Sequence, residues 1–361
     1  MLGAVIRTLG RMVYKHPTVP QDVEGKGPFG KLKVALLADA FTSTCLAPEC
    51  RIRSLTPANY QDVLCNWQPD LLFVESAFHG VGGEWRYMLA RQPAWLRMGK
   101  PHTVARLVRM ARDRGIPSVF WNKDDGAFFE PFLDVARLFE YVFTTDDTCV
   151  PRYQATLPAG SMVDVLAMPV QPTFHHFSGF DFQENAACFV GSYYRKILNT
   201  RRIFLDMIFN ACKASDMPLH IFDRNSNRLS HFMEFRFPQE AGLHVHDKVA
   251  YTETARVYKH YAVSLNVNSV TDSSTMCSRR LLEILACGGI CVTNPSPAVE
   301  KHFAPYCHIL RTEEQARELL ARLKYGPSDE DKERARAGAD YVRQHHTWQH
   351  RLQQLAESVD F

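Results

Sequence analysis

Between Tyr261 and Asn294 the chain reads YAVSLNVNSVTDSSTMCSRRLLEILACGGICVTN, and its polar residues fall where a nucleoside diphosphate could be gripped. An apolar run ends in Asn266 and Asn268, and the Ser/Thr/Asp-rich loop that follows is suited to capping a helix. The pattern predicts that helix from about Met276, carrying Ser278, Arg279, Arg280 and Glu283 and stopped by Gly288 and Gly289. Helix N-terminal amides can hold phosphate oxygens. An arginine there adds a charge-assisted, bidentate contact. A carboxylate one turn further can accept hydrogen bonds from both ribose hydroxyls. The same spacing has a plainer reading, because Arg279 and Glu283 are four residues apart and could form an ion pair on the helix surface.

Other candidates sit after apolar runs. Gly191 and Ser192 follow ACFV, where a glycine lets backbone amides approach a diphosphate, and Arg195 or Lys196 could neutralise the leaving phosphate. An ordinary strand-to-helix turn would look the same. Asp223 and Arg224 follow the next run and could reach the base or form a surface turn. Upstream, Glu75 and Ser76 are followed by His79 and by Gly80, Gly82 and Gly83. Glu75 or His79 could deprotonate an acceptor hydroxyl if the reaction inverts, with Asp124 as a third candidate base; a core or capping role is the alternative for each. Lys123, beside Asp124, could meet phosphate or an aspartate. The acidic pairs Asp124–Asp125 and Asp146–Asp147 are adjacent, and adjacent side chains on extended backbone diverge, so no metal ion is expected. Charge on a leaving diphosphate would then fall to arginines, lysines and helix ends. His175–His176 and His345–His346 lack the spacing of metal ligands and are assigned to surface or packing.

The elements that must position these groups alternate. Strands are expected at 33–39, 70–75, 118–121, 141–145 and 163–168, with helices at 57–66, 101–114, 128–139 and 148–157 between them. A Pro/Phe/His/Gly-rich linker spans 169–185. Alternation then restarts, with strands at 187–190, 219–222, 262–267, 290–293 and 308–310 and helices at 196–213, 252–260, 276–286 and 297–303. Three helical stretches, 313–323, 329–344 and 348–359, finish the chain. This is an α/β pattern of two consecutive Rossmann-like units, with ligands expected beyond the carboxyl ends of the strands and in a cleft between facing domains.

Composition narrows the class. The 361 residues suit two domains, and the 46% hydrophobic and 22% charged content is that of an ordinary globular chain. A net charge of +3 argues against a nucleic-acid partner. Ten scattered cysteines without a C-x-x-C pair read as buried thiols in a reducing compartment, and the cytoplasm is the expected location. No stretch is long and apolar enough to span a membrane, and MLGAVIRTLGRMVYKHP does not read as a signal peptide, although it could form a helix with weak membrane contact.

Four separated segments resemble one known family. NVNSVTDSSTMCSRRLLEILACGG looks like the nucleotide-binding segment of the CgeB-like glycosyltransferases, relatives of the spore maturation protein CgeB. LLFVESAFHGVGGEW (71–85) and VFWNKDDGAFFEPFLDVARLFEYVFTTDDTCVPRY (119–153) resemble that group's N-terminal motifs, and FVGSYYRKILNTRR (189–202) its second-domain phosphate loop. The resemblance implies a GT-B fold and a nucleotide-diphosphate sugar as donor, held mainly by the second domain. It implies domains at 1–172 and 173–346, with 347–361 crossing back onto the first. Glu283 matches the family's ribose-binding glutamate. Where retaining members of the wider fold carry a second acid eight positions earlier, this chain has Thr275. The implied reaction is glycosyl transfer to a hydroxyl of a glycan, lipid-linked or protein acceptor, without a cofactor. A nucleotide-sugar epimerase and a non-catalytic two-lobed ligand-binding protein are the alternatives.

Overall fold

The computed structural model describes residues 19–91, 102–228, 230–239 and 242–361. The segment MLGAVIRTLGRMVYKHP, read as able to form a helix with weak membrane contact, lies outside these residues. The chain divides into two compact units, one ending at Ala167 and completed by Trp348–Phe361, the other running Met168–Thr347.

The first unit is built on a parallel sheet of order β2-β1-β3-β4-β5-β6. Its strands are β1 (Lys33–Leu37), β2 (Arg51–Ser54), β3 (Leu71–Glu75), β4 (Ser118–Asn122), β5 (Tyr141–Thr144) and β6 (Met162–Val165). A parallel strand covered on both faces must be apolar at nearly every position, and β3, LLFVE, is buried throughout. The edge strand β2 was not expected from sequence. Its RIRS has one buried residue, Ile52, while Arg51 and Arg53 pair with Asp22 at 2.6 and 3.0 Å. Because β2 and β3 lie on opposite sides of β1, the strand order reverses between β1 and β3.

Helix Trp348–Ser358 packs into this first unit. The Trp348 ring meets Trp121 edge-on at 5.7 Å, and Gln354 donates to the Val165 carbonyl at 2.7 Å.

The second unit has a parallel sheet of order β12-β11-β10-β7-β8-β9. Its strands are β7 (Glu184–Gly191), β8 (Leu219–Asp223), β9 (Leu243–His246), β10 (Tyr261–Leu265), β11 (Ile290–Thr293) and β12 (His308–Ile309). In chain order this is the doubly wound 3-2-1-4-5-6 arrangement, with the reversal between β7 and β10. The edge strand β9, LHVH, also escaped the sequence reading because it is polar and mostly exposed.

Two helices start later than expected. The one predicted from Lys196 begins at Asn199, since Leu198 takes a left-handed conformation at φ 56°. The one predicted from Met276 begins at Arg279, since Ser278 is extended. Its stop is as expected: Gly288 has φ 75°, and a side chain there would strike the Phe177 ring. Among the described residues no helix is long and apolar enough to cross a membrane.

Candidate functional site

The second unit gathers arginines at its strand reversal. Helix Arg279–Cys287 starts where Asn268 holds it: the Asn268 side-chain oxygen accepts from the Ser278 N–H at 2.8 Å. Asn268 is itself fixed by Asn294, whose side-chain oxygen accepts from its backbone N–H at 2.7 Å. Asn268 thus positions the helix end and is buried at 1% exposure. Ser278 is the N-cap, without a side-chain capping bond.

Arg280 turns inward from that helix. Its Nε donates to the Val190 carbonyl at 2.6 Å, and its guanidinium lies 4.8 Å from the Phe189 ring centre. Arg201, from helix Asn199–Ala214, lies 5.8 Å from the centre of the same ring. It donates to the carbonyls of Val267 and Ser192, each at 3.1 Å. Gly191 is what permits this closeness: a Cβ there would lie 2.7 Å from Phe189 Cε1 and 3.0 Å from Arg280 Nη2. Arg224, whose N–H donates to the Gly191 carbonyl at 3.0 Å, completes the group.

Each guanidinium in this group raises the cost of charging its neighbours. Burial, then the charges of Arg280 and Arg224, lower Arg201 to about 9. Arg224 keeps an exposed edge but loses water on its inner side; that loss and the charges of Arg279 and Arg280 lower it to about 10. Burial also lowers Arg280, outweighing the opposing charge of Glu283, and Arg279 adds to the effect of burial. Three donors in this region are buried without a partner among the described residues: Arg201 Nε, Arg280 Nη1 and Asn225 Nδ2. Native proteins rarely leave such donors unmet unless something else meets them. A crowd of cations with spare N–H groups is the complement of a polyanion rich in acceptor oxygens.

Glu283 is 3% exposed and receives Arg279 Nε at 2.7 Å, with a long 3.5 Å bond from the Tyr258 hydroxyl. The ion pair anticipated on the helix surface is therefore real but mostly buried. A carboxylate has about four acceptor sites, so this pairing leaves capacity on Glu283. His175, assigned to surface or packing, is in fact buried beside this acid and bonded to Thr254 at 2.8 Å.

The remaining donor-side candidates separate from the cluster. Asp223 is buried; its oxygens accept from the Asn225 N–H at 2.8 Å and bond His231 Nε2 at 2.6 Å, so it shapes the turn. Arg195 is exposed, and its carbonyl accepts from Arg202. Ser192 is buried and contributes the carbonyl that Arg201 holds. Arg201 itself was missed from sequence; the signal was the Arg201–Arg202 pair at the start of the helix after Gly191.

In the first unit the strand reversal carries a different group. Glu75 is wholly buried, and its carboxylate accepts from the Asp39 N–H at 2.5 Å, the Thr42 hydroxyl at 2.5 Å and Lys123 Nζ at 2.8 Å. Asp39, also missed from sequence, accepts from the N–H groups of Gly80 at 2.9 Å and His79 at 3.3 Å, tying the end of β1 to the glycine loop after β3. Burial opposes the charge on Lys123, but Glu75, Asp39 and Asp124 outweigh it and hold the ammonium at about 12. His79 is exposed, and Asp124 accepts from the Ser76 hydroxyl at 2.9 Å. Enclosure by three donors makes Glu75 an anchor for Lys123, whereas His79 and Asp124 keep solvent-facing surface.

Asp125 diverges from Asp124, accepting from Asn122 at 2.6 Å and from Tyr153 at 3.2 Å inside the core. Burial, with the charges of Asp146 and Asp124, raises it from 3.8 to about 7. Between about pH 4 and pH 7 the folded state therefore binds the extra proton, so stability falls as pH rises through that window and stays low above it. Asp125→Asn keeps the acceptor and removes the charge. It is expected to be more stable than the parent at pH 8, by at most on the order of 4 kcal/mol, and to lose the fall between pH 5 and 8. Urea denaturation at both pH values checks this; a parent equally stable at the two would refute it.

Among the described residues no group of three or more His, Cys, Asp or Glu side chains is arranged to hold a metal ion.

Residues 191–357, which include the arginine cluster, match a protein-family model described as glycosyl transferase-like. That match spans slightly less than half of the chain. No curated protein shows significant sequence similarity to it. Solved structures extend the likeness to both units. An alpha-glucosyltransferase solved with UDP and a 13-mer DNA containing an HMU base aligns at a TM-score of 0.61 and 9% identity, covering 91% of this chain and 99% of that one. Anabaena Alr3699/HepE, solved with UDP-glucose, aligns at 0.54 and 11%, covering 91% and 99%. TarM aligns at 0.52 and 9%, and here the match covers 83% of this chain but 57% of TarM. At these identities the likeness is one of fold, and the fold is GT-B. Within the matched segment the buried arginines lie at the strand reversal, the position where open parallel sheets bind ligands.

Proposed function

We propose that this protein transfers a glycosyl group from a nucleotide-diphosphate sugar to a hydroxyl acceptor, with the donor diphosphate at the β7/β10 reversal of the second unit. The observation that carries the reading is the set of unmet guanidinium N–H groups on Arg201 and Arg280 beside Gly191. Two of the similar structures hold UDP or UDP-glucose, which makes uridine donors the first to test. Arginines of this number can meet the charge that develops on the departing diphosphate, so we propose transfer without a metal ion. Asp124 and Asp125 point to different partners, which accords with that.

Glu283 receives the ribose hydroxyls in this scheme, using the acceptor capacity that Arg279 and Tyr258 leave. His79 or Asp124 serves as base if the outcome is inversion. Membership of the CgeB-like group and residence in a reducing compartment belong to the same proposal; the cysteine side chains are buried, Cys65 excepted.

The test is incubation of the purified protein with a panel of nucleotide sugars and hydroxyl acceptors, with and without EDTA. Transfer, or slow donor hydrolysis, undiminished by EDTA is expected. Isomerisation of the donor without acceptor would assign an epimerase, and binding without turnover a ligand-binding protein. Glu283→Ala is expected to weaken nucleotide binding by about tenfold, the loss of one or two hydrogen bonds to a charged group. Calorimetric titration with UDP, GDP and dTDP checks it, and unchanged affinity for all three removes the ribose role.

A further inference from the structure

The second unit exposes large apolar side chains beside an unusual density of cations. Ile197, Ile203, Phe232 and Met233 are between 52% and 66% exposed. One backbone hydrogen bond and one ring contact bring their segments together: the Arg195 N–H donates to the Glu234 carbonyl at 3.0 Å, and the Tyr194 ring meets Phe235 edge-on at 5.5 Å. Helix His231–Glu234, which carries Phe232 and Met233, has no buried residue. Burial would ordinarily place a phenylalanine, a methionine and two isoleucines inside, so their shared position outside calls for an apolar environment supplied by something else.

The charges around them select its kind. Arg236 stacks its guanidinium 5.1 Å from the Phe232 ring, and Arg228 lies 5.4 Å from Phe235. Arg202 donates to the Arg195 carbonyl, so these two cations and Lys196 border Ile197 and Ile203. Among the described residues the acids in these segments are Asp206, which accepts from the Tyr193 hydroxyl at 2.7 Å, Asp223, which bonds His231 at 2.6 Å, and Glu234, against Arg195, Lys196, Arg202, Arg228 and Arg236.

We infer that this surface docks on an anionic lipid bilayer. Projecting apolar side chains need no matching pocket when they enter the acyl boundary of a fluid interface, and the arginines beside them reach lipid phosphates at the same depth. An acidic protein partner would satisfy the cations but leave the apolar side chains without a hydrocarbon phase. The inference does not depend on sugar transfer. If both hold, the loop from Tyr193 to Leu198, which follows the donor glycine, faces the bilayer, and an amphiphilic acceptor follows.

The test is co-sedimentation of the full chain with vesicles of phosphatidylcholine, alone or with about a third phosphatidylglycerol. Binding is expected to the anionic vesicles, to weaken with salt, and to be absent from phosphatidylcholine alone. Phe232→Ser with Met233→Ser is expected to lower vesicle affinity by at least about tenfold with an unchanged melting temperature and unchanged UDP affinity. Arg228→Glu with Arg236→Glu is expected to do the same. Absence of binding, or equal binding by both double variants, overturns the inference, the latter by placing any membrane contact elsewhere in the chain. Retention by soluble polyglutamate in place of vesicles assigns an acidic protein partner and overturns it as well.

Discussion

Arg280→Met is expected to weaken binding of the best nucleoside diphosphate by about thirtyfold or more, a loss of ~2 kcal/mol or more, while leaving the protein as stable or more so. The two directions come from one cause. Arg280 is a buried cation near Arg201, Arg224 and Arg279, and its Nε donates to the Val190 carbonyl. Burial disfavours its charged form and outweighs the opposing charge of Glu283, Arg279 adds to the effect of burial, and the charge of Arg280 in turn lowers Arg201 and Arg224. Methionine fills the space of the aliphatic stem against Phe189 and removes the repulsion, in line with the finding that buried ionic groups can often be replaced by apolar ones without loss of stability. A bound diphosphate reverses the balance, because its oxygens meet the unmatched Nη1 and share the positive field. Isothermal titration and thermal melting on one preparation check both halves. Unchanged affinity would place the diphosphate elsewhere; a large fall in melting temperature would mean the arginine is a structural support.

Gly191→Ala is expected to destabilise the protein by about 2–3 kcal/mol and to abolish measurable nucleotide binding. Its Cβ would be driven into the Phe189 ring and up to Arg280 Nη2 at 3.0 Å. Phe189 is wholly buried, so the ring cannot swing away without disturbing the core behind it. Arg280 can move, and moving it breaks the arginine cluster. The double variant Gly191→Ala with Phe189→Leu separates the two effects. Removing the far end of the ring should recover much of the stability relative to Phe189→Leu alone, and binding should return only if Arg280 settles back. Urea midpoints for the four members of this cycle give the coupling. Additive losses would show that the ring is not what excludes a side chain at position 191.

The central strands were legible because their environment writes itself into composition. A strand covered on both faces, such as β3 or β7, has to be a largely continuous apolar run, and a polar residue, Ser76 or Ser192, follows where the chain turns off the sheet. The edge strands β2 and β9 were not legible, since RIRS and LHVH are paired on one side and face water or charged neighbours elsewhere. Gly288 was legible as a helix stop because its φ of 75° is a local demand that glycine meets. Leu198 takes a similar angle without glycine, and the helix start at Asn199 was missed by three residues for that reason.

Within the candidate site, sequence alone determined the residues whose roles are set by nearest neighbours along the chain. Arg279 and Glu283 share a helix face at a spacing of four, and Gly191 ends a buried strand. Only the tertiary structure decided which arginines converge. Arg201 and Arg280 are 79 positions apart and converge on one phenylalanine ring because β7 pairs with β10, a non-local choice that no short window encodes. It also decided that Glu75, the acid at the most conspicuous strand end, spends its carboxylate on Asp39, Thr42 and Lys123. Spacing can bring a charged group to the end of a strand; whether that group is left to react depends on what the rest of the fold packs against it.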